Sequence, residues 1–464
     1  MSKLLEKLKK NPYAAKFLTN TGWLIFDKVF HMALSLVVTG MVSRYLGTEK
    51  YGYLSYGLAF IEIFTIVCKL GIDGIIVNEL VKQREKNGEI LGTTIVLRLI
   101  SSLLSLALTA VFVWVLNPGK MVILAITMIQ SVSLIFVAFD TLDYYFQSVL
   151  QSKYVALARS ISYPLVCLLR LILVLVKAQV AWFAWATVLD AVTIGIVLVY
   201  FYYKSTAKLR LDEAVLTNTE PVDGDDGTQT LAGTKRYKLK FSMSMTRYLM
   251  SHSYHFIAVS LLVTIYTQMD KLMVGYLSTQ TEVGLYSAGM LVANLWIFIP
   301  NAIIDSGRPL IMTLKAEGRE EEYQKRMKQL SAGIIWVSIL AGVFFSAAGT
   351  FVVWIIFGKD FMAAATVLRI LIWSRLFSLL GTVRSVWMLC EKQEKDIKYF
   401  IGLGAAVNVV LNAVLIPQIG AAGAAVATLV TEVVSSFIAT GAYKKTRPLC
   451  KMYLEALLLK GVWK

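Results

Sequence analysis

The stretch YLSYGLAFIEIFTIVCKLGIDGII, residues 53–76, is long enough to cross a bilayer, yet it carries Glu62, Lys69 and Asp73. A second stretch, LYSAGMLVANLWIFIPNAIIDSGRPLI at 285–311, carries Asn294, Asn301 and Asp305. Each polar position in the first has its counterpart 232 residues later, half of the 464-residue chain. Spacings of seven and then four hold all three side chains within roughly 40° on one helix face. Hydrocarbon does not tolerate such groups facing lipid, so the two faces are expected to line a shared polar interior. The reading is a duplicated membrane transporter with its site between the halves.

Composition agrees. The chain is 57% hydrophobic with mean hydropathy +0.64, and 16% of its residues are charged, too few for a soluble domain of this size. About twelve apolar runs reach the roughly 20 residues that a spanning helix needs. The fold class expected is all-α integral membrane, with about 12 transmembrane helices in two pseudo-symmetric six-helix lobes. The lobes are placed at 1–203 and 248–443, joined by a cytoplasmic linker at 204–247 and followed by a cytoplasmic tail at 444–464. The linker contains the polar tract Pro221–Gly227. With an even number of spans per half, the copies share one orientation about an axis along the membrane normal. Tyr45-Leu46 and Gly52-Tyr53-Leu54-Ser55 echo Tyr276-Leu277 and Gly284-Leu285-Tyr286-Ser287.

The net charge of +16 points to topology rather than to nucleic acid. With a cytoplasmic N-terminus, about 33 basic residues fall in cytoplasmic segments, about 5 in external loops and about 8 within membrane runs, the positive-inside bias. Both termini are therefore expected in the cytoplasm. Met1–Thr19 is basic and amphipathic without a cleavable signal, and reads as an interfacial helix. The four cysteines show no metal or redox spacing. There is no P-loop and no HExxH, so neither cofactor nor metal is expected.

Charges at membrane depth are costly unless paired or hydrated. Their number and mixed sign argue for a water-filled cavity. Lys28, Lys69, Arg98, Arg170, Lys271 and Arg369 are the candidates for binding an anionic headgroup, phosphate above all. Asp27, Glu62, Asp73, Asp270 and Asp305 are the candidates for a coupling proton or cation. Asp27 and His31 are four residues apart, as are Asn408 and Asn412. Structural pairs between helices and snorkelling near the ends explain about half of the buried charges, and Asp140, Asp143, Asp190, Arg384 and Glu432 are the weakest functional candidates.

Several segments resemble a known family. Arg44-Tyr45-Leu46-Gly47, Tyr51-Gly52, Ser55-Tyr56, Leu70-Gly71-Ile72-Asp73-Gly74 and Glu79-Leu80-Val81 are similar to the N-terminal signature of bacterial polysaccharide (O-antigen-type) flippases. Asp270-Lys271, Val283-Gly284-Leu285-Tyr286-Ser287, Trp296, Ile299-Pro300 and Arg308-Pro309 resemble the same family. These flippases belong to the multidrug/oligosaccharidyl-lipid/polysaccharide exporter superfamily. The resemblance implies a V-shaped pair of lobes around a cationic lumen in the bacterial cytoplasmic membrane. It implies transfer of a polyprenyl-diphosphate-linked oligosaccharide from the inner to the outer leaflet, driven by proton or sodium antiport. The implied partners are that substrate, membrane lipid, H+ or Na+, and a polysaccharide polymerase, with no nucleic acid. Asn78 stands where the family pattern has a basic residue, so no gating role is carried over to it. The alternative is a multidrug/cation antiporter of the same superfamily, which calls for a more acidic cavity. A lipid-linked sugar transferase would need a donor-binding loop, and the external loops are too short for one. The other large twelve-span transporter class calls for a Gly-Asp-Arg-type motif that Asn78–Leu91 lacks.

Overall fold

The computed structural model describes residues 12–149, 151–217 and 238–461, with the side chains of 12–31, 33, 205–217 and 259 excluded. Met1–Asn11, most of the linker including Pro221–Gly227, and the side chains of Asp27, Lys28 and His31 thus lie outside the described residues. All regular structure among the described residues is helical.

Helix Pro12–Lys69 is two helices joined at Gly47 (φ 75°, ψ 174°), α1 over 12–46 and α2 over 48–69. Only glycine adopts that backbone without strain, and here it turns the chain back on itself. Along α1, Ser35 reaches Tyr163 and Tyr45 reaches Ala178. Along α2 the contacts run the other way, from Gln280 near Gly52 to Ser101 on the carbonyl of Cys68. The short α3 (Ile76–Lys82) leads into α4 (Asn87–Leu116), α5 (Met121–Ser148, in short segments), α6 (Lys153–Leu175) and α7 (Val180–Thr217). The second lobe comprises α8 (Met243–Leu277), α9 (Gln280–Asn294), α10 (Phe298–Ala316), α11 (Glu320–Phe357) and α12 (Ala364–Cys390). A second hairpin at Ile419 and Gly420 (φ 57°) separates α13 (397–418) from α14 (421–442). Gly423 packs against the carbonyl of Leu415, and Gly404 against Ser435, so these two arms are antiparallel. Among the described residues nine helices are long and apolar enough to span, the bent pair α9–α10 is a tenth, and two of the nine are hairpins. The passes among the described residues therefore number twelve, in line with the expected count. The amphipathic α15 (Arg447–Leu457) buries Leu449, Met452, Tyr453 and Ala456 and does not span.

The duplication is visible where the lobes meet. A Cβ on Gly52 would lie 1.8 Å from the carbonyl oxygen of Gln280, and one on Gly284 would lie 2.1 Å from that of Thr48. Both residue pairs, 52/284 and 48/280, carry the 232-residue offset, so the pseudo-two-fold axis passes between α2 and α9. Two helix backbones approach this closely only where neither carries a side chain. Nearby, Arg44 donates to the carbonyls of Trp354 (3.0 Å), Ile355 and Ile356 (3.1 Å). These are final-turn acceptors of α11, so a cation of the first lobe caps a helix C-terminus of the second. Tyr51 packs edge-on to Phe361 at 5.8 Å. We call this side of the molecule the hairpin face and the opposite one the linker face.

Toward the linker face the lobes meet along α2 and α8. Gly71 (φ 63°) lies against Ser253 and Ile257, and the Tyr248 hydroxyl donates to Glu79 at 3.0 Å. The chain bends by 45° between α9 and α10. Beyond the bend, α10 packs on α11 and α12 of its own lobe, with no comparable contact to the first lobe among the described residues.

The bend corrects one expectation, because residues 285–311 do not form a single straight helix. Pro300 has no N–H to give and is accommodated in the first turn of a new helix, so α10 restarts at Phe298. In the other copy α2 stops at Lys69, and Leu70 and Gly71 both take positive φ. The three polar positions of each copy therefore straddle a break.

Candidate functional site

Three groups of polar side chains lie at membrane depth. The first is inside the second lobe. Asp270 of α8 is 5% exposed. Its Oδ1 accepts from Asn408 (2.9 Å) and Asn412 (2.7 Å) of α13, and its Oδ2 from Thr428 of α14 (2.6 Å) and Tyr286 of α9 (2.5 Å). Four elements thus converge on one carboxylate. No basic side chain lies within ion-pair distance of it among the described residues. Four donors satisfy a full negative charge, each charge-assisted bond being worth about 1.5–3 kcal/mol. The Asn412 carbonyl oxygen beside it is buried without a partner. The groups that face the carboxylate are two amide N–H donors and two hydroxyls, none of them a soft ligand, so it suits a proton or a hard cation rather than a transition metal. No group of three His, Cys, Asp or Glu poised for a metal occurs among the described residues.

The second group is in the first lobe. Asp73 lies between Lys69 (3.3 Å) and Arg98, and Lys69 also faces Asp140 at 3.8 Å. The Tyr144 hydroxyl bonds Asp73, and its ring lies 5.6 Å from the Arg98 guanidinium. Arg98 is fully buried. It therefore stands behind Asp73 inside the lobe, and Lys69 is the accessible cation of the cluster. One turn along α5 from Asp140, Asp143 pairs with Arg159 at 3.0 Å. That pair borders a cavity of about 870 Å³ lined also by Gln147, Tyr163 and Asp190, within the size range of ligand sites.

The third group is exposed or half-buried. Glu62, Asn294, Asn301 and Asp305 are all exposed although each lies in a membrane-length run. Lys271 is half-buried, with Glu62 and Asp270 as its acidic neighbours. Asp305 pairs with Arg308 at 3.3 Å. Arg369 is exposed on α12 and donates to the carbonyl of Ser346 (3.0 Å) and to Thr350 (2.8 Å). Arg170 is half-buried on α6, near Tyr163 and Tyr51. Asp27 and Lys28 lie outside the described residues.

The sequence candidates are thus distributed over three places. Lys69, Asp73 and Arg98 come together, Glu62 and Lys271 come together, and Asp270 forms a nest apart from Asp73 and Asp305. Sequence reasoning placed Tyr286 in the signature segment Val283–Ser287 but named neither Tyr286 nor Thr428 as a site residue, because their partner lies 16 and 158 residues away.

Residues 17–305 match the family described as polysaccharide biosynthesis protein. No curated protein matches the chain. Among solved structures it is similar to the lipid II flippase MurJ in an inward closed conformation, with TM-score 0.67 and 13% identity over 94% of this chain and 90% of that one. It is equally similar to an inward-facing multidrug resistance MATE family transporter of the MOP superfamily, with TM-score 0.67 and 12% identity over 92% and 96%. A MOP superfamily transporter from Pyrococcus furiosus, noted for the reverse polarity of its binding pocket, follows at TM-score 0.60 and 10% identity over 92% and 95%. At such identities the likeness establishes the two-lobed, multi-pass MOP fold.

Proposed function

The chain belongs to the polysaccharide biosynthesis protein family, and on that premise we propose that it flips a polyprenyl-diphosphate-linked oligosaccharide from the inner to the outer leaflet of the bacterial cytoplasmic membrane. The observation that supports the reading best is the asymmetry of the α9–α10 pair. At the hairpin face α9 meets α2 through the Gly52–Gly284 crossing, beside the Arg44 cap, while α10 bends by 45° and packs on its own lobe, although α2 and α8 still join the lobes toward the linker face. A diphosphate–sugar head needs a polar route, whereas its polyprenyl tail can stay in lipid. A hydrated groove open sideways to lipid serves both. Lys69 and Lys271 are the cations that meet the diphosphate, with Arg170 and Arg369 further along the walls.

In this reading both termini and the linker face are cytoplasmic. Each negative charge moved outward gains roughly 2.3 kcal/mol per 100 mV of inside-negative potential. Asp270 carries the coupling ion, a proton or a monovalent cation. The lobes rock about the pseudo-two-fold axis to expose the site alternately.

The test reconstitutes the full chain in vesicles and follows leaflet transfer of a lipid-diphosphate sugar. Transfer is expected in wild type, with at least a tenfold loss in Lys69→Ala and Lys271→Ala. Transfer of lipophilic cations without transfer of the lipid-diphosphate sugar would instead establish the multidrug antiporter. Equal rates in protein-free vesicles would remove the flippase reading.

A further inference from the structure

The nest around Asp270 continues one helical turn toward the linker face. There Glu432 of α14 is 7% exposed. Its Oε1 accepts from the Tyr266 hydroxyl at 3.0 Å and its Oε2 from Ser436 at 3.1 Å. Tyr266 stands four residues before Asp270 on α8, and Glu432 four residues after Thr428 on α14. The same two helices therefore carry a second carboxyl layer directly below the first.

The two layers are furnished differently. Asp270 receives four donors, two of them amides. Glu432 receives one neutral hydroxyl per oxygen and has no ion-pair partner among the described residues. A bare carboxylate at membrane depth with so little compensation costs several kcal/mol, whereas a neutral carboxylic acid fits. The charged groups around it are few. The α8 helix brings Tyr266 and Asp270, α12 brings Arg375 and Arg384, and α9 brings Tyr286 in the layer above. The α13 helix brings no charged partner to it among the described residues; its Gly404 packs on Ser435 and the Tyr266 ring, and its Phe400 lies 4.0 Å from the Arg384 guanidinium. Arg384 is occupied by the Ser435 carbonyl (2.5 Å) and Thr440 (3.1 Å). Arg375 is not: its Nε and Nη2 are buried without partners. Those two atoms form the side-on fork of a guanidinium, whose geometry matches one carboxylate. Finally, Glu432 directly precedes a π-helical turn, Val433–Ile438, an irregularity frequent at functional sites.

We propose that Glu432 is a second coupling carboxyl, holding a proton one turn from Asp270, and that Arg375 is the cation that pairs with it once the proton has left. The step is a simple acid dissociation. The O–H bond of the Glu432 carboxyl breaks, the proton passes to water, and the resulting carboxylate is taken up by the empty Arg375 fork. Pairing swings the Arg375 side chain onto Glu432 and adds an ionic tie between α12 and α14, which the Arg384 bonds and the Gly381–Ser436 contact already join. The inference deepens the coupling role given to the Asp270 region above, but it is read out without any substrate.

The experiment is infrared difference spectroscopy of the full chain in lipid as bulk pH is stepped. A carbonyl stretch of a buried carboxylic acid that disappears with rising pH is expected in wild type. It should be lost in Glu432→Gln, kept in Asp270→Asn, and shifted but not lost in Tyr266→Phe. In Arg375→Gln it should persist to higher pH, since the fork no longer receives the carboxylate. A wild-type protein without such a band, or a band unchanged in Glu432→Gln, would overturn the proposal. Failure of the flippase reading shows separately, as absent sugar-lipid transfer with the band intact.

Discussion

Replacing Gly52 with alanine should drive the hairpin face open. The new Cβ would sit 1.8 Å from the Gln280 carbonyl oxygen, 2.7 Å from its carbon and 3.1 Å from the Gly284 nitrogen. All three are backbone atoms, so no side chain can swing aside. Restoring ordinary van der Waals contact requires α2 and α9 to part by about 1.5 Å, and overpacking of this kind costs about 1–3 kcal/mol. The alanine itself favours helix by about 1 kcal/mol over glycine, so any loss is steric. Because the clash exists only where the helices cross, the cost falls on the closed state. The open-to-closed ratio should therefore rise by about 5- to 150-fold. Spin labels at Lys120 and Lys359, exposed on hairpin-face loops of the two lobes, would report it as growth of a longer-distance population. Gly284→Ala should do the same through the Thr48 carbonyl, 2.1 Å from its Cβ. Gly333→Ala, with nothing within 4 Å, should leave the distances unchanged. Wild-type distance distributions in both Gly52→Ala and Gly284→Ala would refute the crossing as a closing contact.

Arg44→Gln removes an exposed cation from the α11 C-terminus, a loss of about 0.3–1 kcal/mol; the same spin-label pair should show the open-to-closed ratio rising by about 1.5- to 5-fold. Asp270→Leu leaves four donors without their acceptor and should destabilise the second lobe by several kcal/mol, whereas Asp270→Asn should fold near-normally, as thermal unfolding in detergent would show. Acid should release α15: the Lys328 ammonium bonded to Glu455 holds that carboxyl below its ordinary value of 4.5. A depressed carboxyl contributes stability above its unfolded-state value and loses it as pH falls through the folded one, so the protection factors of residues 447–457, corrected for the intrinsic slowing of exchange in acid, should fall below about pH 4.5, and in Glu455→Gln they should be low already at neutral pH.

Much of this arrangement is legible in the chain because it depends on local chemistry. The 232-residue offset is physically real at Gly52 and Gly284, where symmetry-related backbones touch, and the twelve passes follow from run lengths. The same offset misleads at Asn301 and Asp305, because helical periodicity assumes a straight helix and Pro300 starts a new one. The four-residue spacing of Asn408 and Asn412 predicts a polar face, but not that the face is completed by Asp270, 138 residues away from Asn408. Arg98 shares its face with Ser102 and Ser105, as periodicity requires. Periodicity cannot say whether that face looks into the lobe or between the lobes, and packing against Asp73 and Tyr144 decides for the interior.

Duplication has preserved the crossing and let the chemistry diverge, and that asymmetry locates the transmission. Offsets of 232 and 231, the second taken from the Tyr45 and Tyr276 pair, bring Val38 and Thr39 opposite Asp270; the first lobe therefore has no counterpart carboxylate. An ion taken up at Asp270 must act on the closed face through the second lobe alone. The shortest path is Tyr286, whose hydroxyl donates to Asp270 at 2.5 Å and whose backbone lies two residues from the Gly284 crossing. A cation or proton on Asp270 competes for the oxygen that holds this hydroxyl, freeing α9 at the point where it meets α2. Such a chain of direct contacts counts as a coupling route only if cutting one link abolishes the response. Tyr286→Phe cuts it while keeping the ring that fills the core, and the lost hydrogen bond to a charged group is worth about 1.5–3 kcal/mol. The hairpin-face distances should respond to pH or to added sodium in wild type, and should cease to respond in Tyr286→Phe while the protein stays folded. A full response in the phenylalanine variant would show that the ion site reaches the crossing by some other route.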